Sequence, residues 1–225
     1  MASTTIKQRQ ISGGLDGWIP AEETWAYASA STITVPSGAA SKYQKGDKIK
    51  LTQTTAKYFY VVGVADTVLT VSGGTDYTVA NAAITLPYYS KIENPQGFPQ
   101  YFNFTPNWTN LTKGAGGTVT ARFSIINGKV FLRVYFVFGS GSAIGGRVSF
   151  NNLPVASAIT TVTVGALLDA NVGWYKSDIT ISGSYCYIDT LLASGTYVAQ
   201  TYFSSSVPMT WTTDDSFGFL ATYEY

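Results

Sequence analysis

The sequence predicts an all-β protein, on three observations. Apolar residues alternate with polar ones along short runs filled by Thr, Val, Ile, Tyr and Phe, the pattern of half-buried strands. Breaks rich in Gly and Ser interrupt those runs at Ser37-Gly38, Ser72-Gly73-Gly74, 114–117, 139–146 and Ser182-Gly183-Ser184. No stretch carries the spacing of a long amphipathic helix. Short, regularly punctuated strands make sandwiches or barrels. The expected architecture is an N-terminal arm, a small SH3-like or OB-like barrel and a C-terminal jelly-roll-like β-sandwich.

The arm is residues 1–24, polar and then Gly-rich, leading into Leu15-Asp16-Gly17-Trp18-Ile19-Pro20. It has little core of its own, so Trp18 and Ile19 are expected to dock outside the arm and to serve in attachment. Its first ten residues hold no apolar h-region, and no stretch approaches the roughly 18 apolar residues of a membrane helix. The expectation is synthesis in the cytoplasm without membrane insertion. Three triplets that resemble glycosylation sites, beginning at Asn103, Asn107 and Asn110, then read as chance in a chain rich in Asn and Thr.

Residues 25–90 are expected to form the small barrel. Thr32-Ile33-Thr34-Val35 precedes a turn at Pro36-Ser37-Gly38. Lys45-Gly46-Asp47 is a turn, and Lys48-Ile49-Lys50-Leu51 alternates cleanly after it. Tyr58-Phe59-Tyr60-Val61-Val62 and Thr67-Val68-Leu69-Thr70-Val71 follow. Lys42, Lys45, Lys48, Lys50 and Lys57 cluster here, with Asp47 opposing them. Lys48 and Lys50 lie two apart, on the side away from Ile49 and Leu51, so a solvated strand face accounts for them. No stacking platform alternates with the lysines, and nucleic acid is not an expected partner.

Residues 91–106 contain Asn94-Pro95-Gln96-Gly97-Phe98-Pro99 and read as an extended, stiff linker, because each proline restricts itself and the residue before it. Residues 107–225 form the larger domain. Its clearest element is a hairpin, 118–126 and 129–138 around Asn127-Gly128, since a type I′ turn needs positive φ at both central positions. That register places Ala121, Phe123 and Ile125 on one face with Val130, Leu132 and Val134. The other face carries Arg122 on the first strand and Phe131, Arg133, Tyr135 and Val137 on the second. A strand apolar on both sides needs a second cover, so Phe131, Tyr135 and Val137 are the expected subunit interface. Arg122 and Arg133 face one another in this register, which calls for a neighbouring carboxylate, solvent or a bound anion or acidic glycan. Trp174 and Tyr175, read as a loop or strand end, are further candidates for glycan contact. Later strands are expected around 147–150, 158–167, 179–182, 185–192 and 217–223.

Composition excludes whole classes of chemistry. There is no His, which removes Ser-His-Asp and Cys-His nucleophile systems and His-bearing zinc sites. The single Cys, Cys186 between Tyr185 and Tyr187, reads as a small buried hydrophobe. Asp169, Asp178, Asp189 and Asp214 are scattered, and no glycine fingerprint or calcium loop is present. Neither catalysis nor a cofactor or metal is expected. Charged residues are 12% and aromatic residues 15% of the chain, with a net charge of +1. So little charge and so much apolar surface point to a large core or to association with copies of itself.

Asp16-Gly17-Trp18-Ile19-Pro20 with Glu23-Thr24-Trp25-Ala26-Tyr27-Ala28-Ser29 resembles an N-terminal segment of phage structural proteins. Lys42-Tyr43, 46–53, 57–62 and Gly74-Thr75-Asp76-Tyr77-Thr78-Val79 continue the likeness. Trp108-Thr109-Asn110-Leu111-Thr112, Val148-Ser149-Phe150 and Leu153-Pro154 are similar to the sandwich that ends such chains. The resemblance implies a tailed-phage virion protein of the short fibre, spike or head-fibre type, with a capsid decoration protein of purely stabilising role or a stand-alone glycan-binding module as the alternatives. It would be a homotrimer held by its N-terminal region to other tail or capsid proteins and presented to a host-surface glycan or protein. It brings no catalytic residues with it.

Overall fold

A computed structural model describes residues 16–194 and 197–225, without the side chains of 192–194 and 197. Residues 1–15 of the expected arm lie outside the described residues, as does the side chain of Tyr197. The fold is almost entirely β, with two antiparallel sheets. The chain divides into two compact units, one within Met1–Phe102 joined by Ile125–Gly128, the other Asn103–Ser124 with Lys129–Tyr225.

The first unit contains β1 (Ile19–Pro20), β2 (Ala26–Ser29), β3 (Thr32–Thr34), the short helix α1 (Ala39–Lys42), β4 (Lys48–Thr52), β5 (Ala56–Ala65), β6 (Val68–Ser72) and β7 (Thr85–Ser90). Its sheet runs β1-β7-β4-β5-β6-β3-β2, an open path that curls into a half-barrel. The curl follows from the core: Ile33 of β3, Ile49 and Leu51 of β4 and Phe59 of β5 share one buried cluster with Trp25 and Tyr43, and Tyr89 of β7 packs against it. Alternation on β4 puts Ile49 and Leu51 into that cluster, as its sequence predicts.

The other side of β4 is not a solvated face. Lys48 is buried and forms an ion pair with Glu93 at 3.4 Å. The Lys50 ammonium lies 4.7 Å from the Trp18 ring centroid and 4.6 Å from that of Tyr88. A second layer of rings accounts for this: Trp18 packs on Tyr58 and Phe98, each at 6.2 Å. Long lysine stems lie along such an apolar layer while their heads find a carboxylate or a ring face. Lys57 and Lys42 are engaged too, donating to Thr78 O at 2.7 Å and to Glu23 at 2.8 Å. The first part of the expected linker also belongs to this layer, because Gln96 N donates to Asp16 O at 2.8 Å and Phe98 packs 5.0 Å from Tyr60.

The second sheet contains β8 (Phe102–Asn103), β9 (Trp108–Thr112), β10 (Thr118–Ile126), β11 (Lys129–Val137), β12 (Ala143–Phe150), β13 (Ser157–Asp169), β14 (Gly173–Gly183), β15 (Tyr185–Ser194), β16 (Tyr197–Tyr202) and β17 (Ser216–Glu224). Its order is β8-β10-β11-β17-β13-β14-β15-β12-β9, with β16 on β15. The strands therefore hydrogen-bond in one continuous path rather than in two separate sheets. That path folds back on itself: Trp108 on the last strand packs edge-on against Phe136 of β11 and Phe217 of β17, each at 5.7 Å. The result is sandwich-like layering made from one sheet. The β10–β11 turn has φ of 49° at Asn127 and 73° at Gly128, the two positive values that a type I′ hairpin requires. Along β11, Val130, Leu132, Val134 and Phe136 are buried, while Phe131, Arg133 and Tyr135 are exposed.

Candidate functional site

The outward face of β11, β17, β13 and β14 is the most unusual surface of the second unit. The registers set its side chains in rows across the strands. One row is Tyr135, Gly218, Ala166 and Lys176. The next is Val137, Ser216, Leu168 and Trp174. On the other side, Arg133 pairs with Leu220, and Val164 pairs with Asp178. The middle row is low at its centre, and a groove of about 580 Å³ runs there between taller rows, lined by Tyr135, Leu220, Val164 and Trp174. Tyr135 leans over the glycine, since a Cβ on Gly218 would sit 2.6 Å from its ring. Its hydroxyl donates to Ser216 Oγ at 3.0 Å, which holds the ring down. Leu220 is 70% exposed, Trp174 68% and Val164 59%. Apolar side chains this exposed on four adjacent strands are rare on a monomer.

The residues predicted from sequence are sorted by this face. Phe131, Arg133, Tyr135 and Trp174 lie on it, with Val137 half-buried at its margin. Tyr175 does not: it is the neighbour of Trp174 within β14, not in a loop, and pairs with core residue Leu167 on the opposite side. Arg122 is half-buried on β10, and the flanking Ala121 and Phe123 are in the core, so it points outward. Trp18 docks outside the arm, as expected, but on Tyr58 and Phe98 of its own unit, and Ile19 is half-buried beside it. Trp18 is only 3% exposed and donates its Nε1–H to Gln96 O at 2.8 Å, and Ile19 pairs with Tyr89. An indole enclosed by its own unit has no surface left for another protein.

A second constellation escaped the sequence reading. Tyr185 stacks on Tyr187 at 5.7 Å with their planes 7° apart. The Arg147 guanidinium lies 4.4 Å from the centroid of Tyr187 and 5.1 Å from that of Tyr202. Arg147 Nε and Nη2 donate to Asp189 at 2.8 and 2.5 Å, and Gln200 Nε2 donates to the same carboxylate at 3.2 Å. The Asp189 bonds raise the Arg147 pKa against an opposing burial effect, so the guanidinium stays charged. Alternation in Tyr185-Cys186-Tyr187-Ile188-Asp189 signals a shared face, but Arg147 and Gln200 arrive from strands that no local pattern pairs with it.

The first unit holds a polar network of its own. Burial alone would raise the Glu23 pKa, but bonds from Lys42, Tyr43 and Trp25 outweigh it and hold the carboxyl below its ordinary value. The Tyr43 hydroxyl is pushed far up by burial and by Glu23. Cys186 is fully buried and its thiol is pushed up by burial, as expected for a structural hydrophobe. Of the four scattered aspartates, Asp178 and Asp189 are cross-strand partners, while Asp169 accepts from Asn171 N at 3.0 Å in a turn. Among the described residues, no three acidic or Cys side chains are grouped to hold a metal.

The chain matches no protein-family model, no curated protein and no solved structure.

Proposed function

We propose that this chain is a structural protein of a tailed-phage virion, a tail or head fibre or spike. In this reading it assembles as a homotrimer, is held by its N-terminal region and displays its second unit for adsorption to a host surface. The observation that carries the reading is the uncovered apolar face of β11, β17, β13 and β14. Its occupant is a second copy of the chain. Arg122 and Arg133 stand on the β10–β11 flank of the face, and Asp178 with Lys176 on the β14 flank, so the two margins differ in charge and Arg133 of one copy can meet Asp178 of the next. A contact between two different patches closes into a ring when the rotation fits, which is the geometry of a trimer. The likeness of 16–29 to a phage N-terminal segment supplies the virion part of the reading. Linked heads then convert weak host contacts into avidity.

Sedimentation equilibrium of the purified chain tests the assembly, with a mass of three copies expected. A monomer at micromolar concentration would overturn the homotrimer. Immunogold labelling of phage particles tests the location, and particles that contain no label would overturn the virion reading.

A further inference from the structure

We infer that the stack of Tyr185, Tyr187, Arg147 and Tyr202 is a binding subsite for a neutral saccharide. The two ends of the stack are open, with Tyr185 46% and Tyr202 62% exposed. Its members are held in place by the two bonds to Asp189, itself 1% exposed, and by the rings on either side of Arg147. A ligand that stacks on rings already fixed in position loses little binding energy to side-chain ordering.

Charge selects the ligand. The Arg147 cation is matched by Asp189, and Asp178 stands directly across from Asp189 on β14, so the site has no surplus positive charge. A nucleic acid would stack on the same rings, but its phosphates need uncompensated Lys or Arg. An acidic glycan meets the same objection. Hydrogen-bonding groups border the rings in register: Ser182 pairs with Tyr185, and Thr180 pairs with Tyr187. Asp189 engages Nε and Nη2 of Arg147, which leaves both Nη1 hydrogens for a ligand. Aromatic planes edged by hydroxyls and a guanidinium N–H match the C–H face and hydroxyl rim of a pyranose. This subsite deepens the adsorption reading and rests on it for where the saccharide is met.

The test is a glycan array probed with the intact chain, followed by titration calorimetry with the best neutral oligosaccharide. Wild type is expected to bind neutral glucose-, galactose- or mannose-based oligosaccharides in preference to sialylated or sulfated ones. Tyr202→Ala should weaken that binding about tenfold or more, as loss of one stacking ring implies. Tyr202→Phe keeps the ring and should retain binding, which separates a lost platform from a lost fold. Trp174→Ala, on the assembly face, should retain the subsite. Absence of binding at millimolar oligosaccharide, selection of anionic glycans, or full affinity in Tyr202→Ala would each overturn the subsite. Unlabelled particles would instead overturn the virion reading alone, because the array uses purified protein.

Discussion

Strand β4 in the first unit and β11 in the second obey the same rule of alternation, yet their outward faces end differently. On β4 the outward Lys48 and Lys50 are covered by a layer of rings from the same unit, Trp18, Tyr58 and Phe98. On β11 the outward Phe131 and Tyr135, with Leu220 beside them on β17, are exposed. The basic strand is thus enclosed and the greasy one is bare, the reverse of what polarity alone predicts. A face is covered when some other segment of the chain reaches it, whatever its own hydrophobicity. Where none does, apolar area stays exposed, and a partner that covered it would gain ~25 cal/mol per Å².

The contrast can be broken or sharpened by experiment. The largest effect is expected from Trp18→Ala, which removes an enclosed indole and its hydrogen bond to Gln96. Denaturant unfolding should show a loss of about 3–5 kcal/mol, and Trp174→Ala, measured on the dissociated protomer, less than about 0.5 kcal/mol. Equal losses in the two variants would erase the distinction between covered and bare faces. Next comes Leu220→Asp, which places a charge on the bare face. It should weaken self-association about a hundredfold or more by sedimentation while the thermal unfolding of the protomer hardly moves. An unchanged association constant would show that this face is not the contact.

Glu23→Gln gives a pH-dependent effect confined to the first unit. The folded Glu23 carboxyl sits below its ordinary value, so its contribution is present above the unfolded value and is lost as pH falls through the folded one. The variant should be less stable than wild type near neutral pH, and the two stability curves should converge in acid. A gap that stays constant with pH would assign the effect to packing. Asn127→Ala at φ 49° should cost about 1 kcal/mol, read by the same unfolding measurement.

Much of the fold was legible in these residues. The turn at Asn127-Gly128, the inward sides of β4 and β11 and the burial of Cys186 all follow from local chemistry. The site was legible only in part. Arg133, Tyr135 and Trp174 share one groove, whereas Tyr175 lies on the opposite side of β14 and Trp18 is enclosed within the first unit. Alternation tells which neighbours diverge once a strand is known, and 174–175, at the start of β14, read from sequence as either a loop or a strand end. That Trp18 docks outside the arm was legible, but its partners, Tyr58 and Phe98, were not, because they lie far along the chain.

Side-chain alternation, turn chemistry and the absence of His belong to the chain before it folds. They determine that the protein is all β and which residues of each strand share a side. Strand order is another matter: that β17 lies between β11 and β13, or that β12 and β16 both flank β15, is decided by contacts between distant segments. Only tertiary structure could therefore enclose Lys48, leave Leu220 bare and assemble Arg147 with three tyrosines, because a face acquires its cover from whichever strands the fold brings beside it.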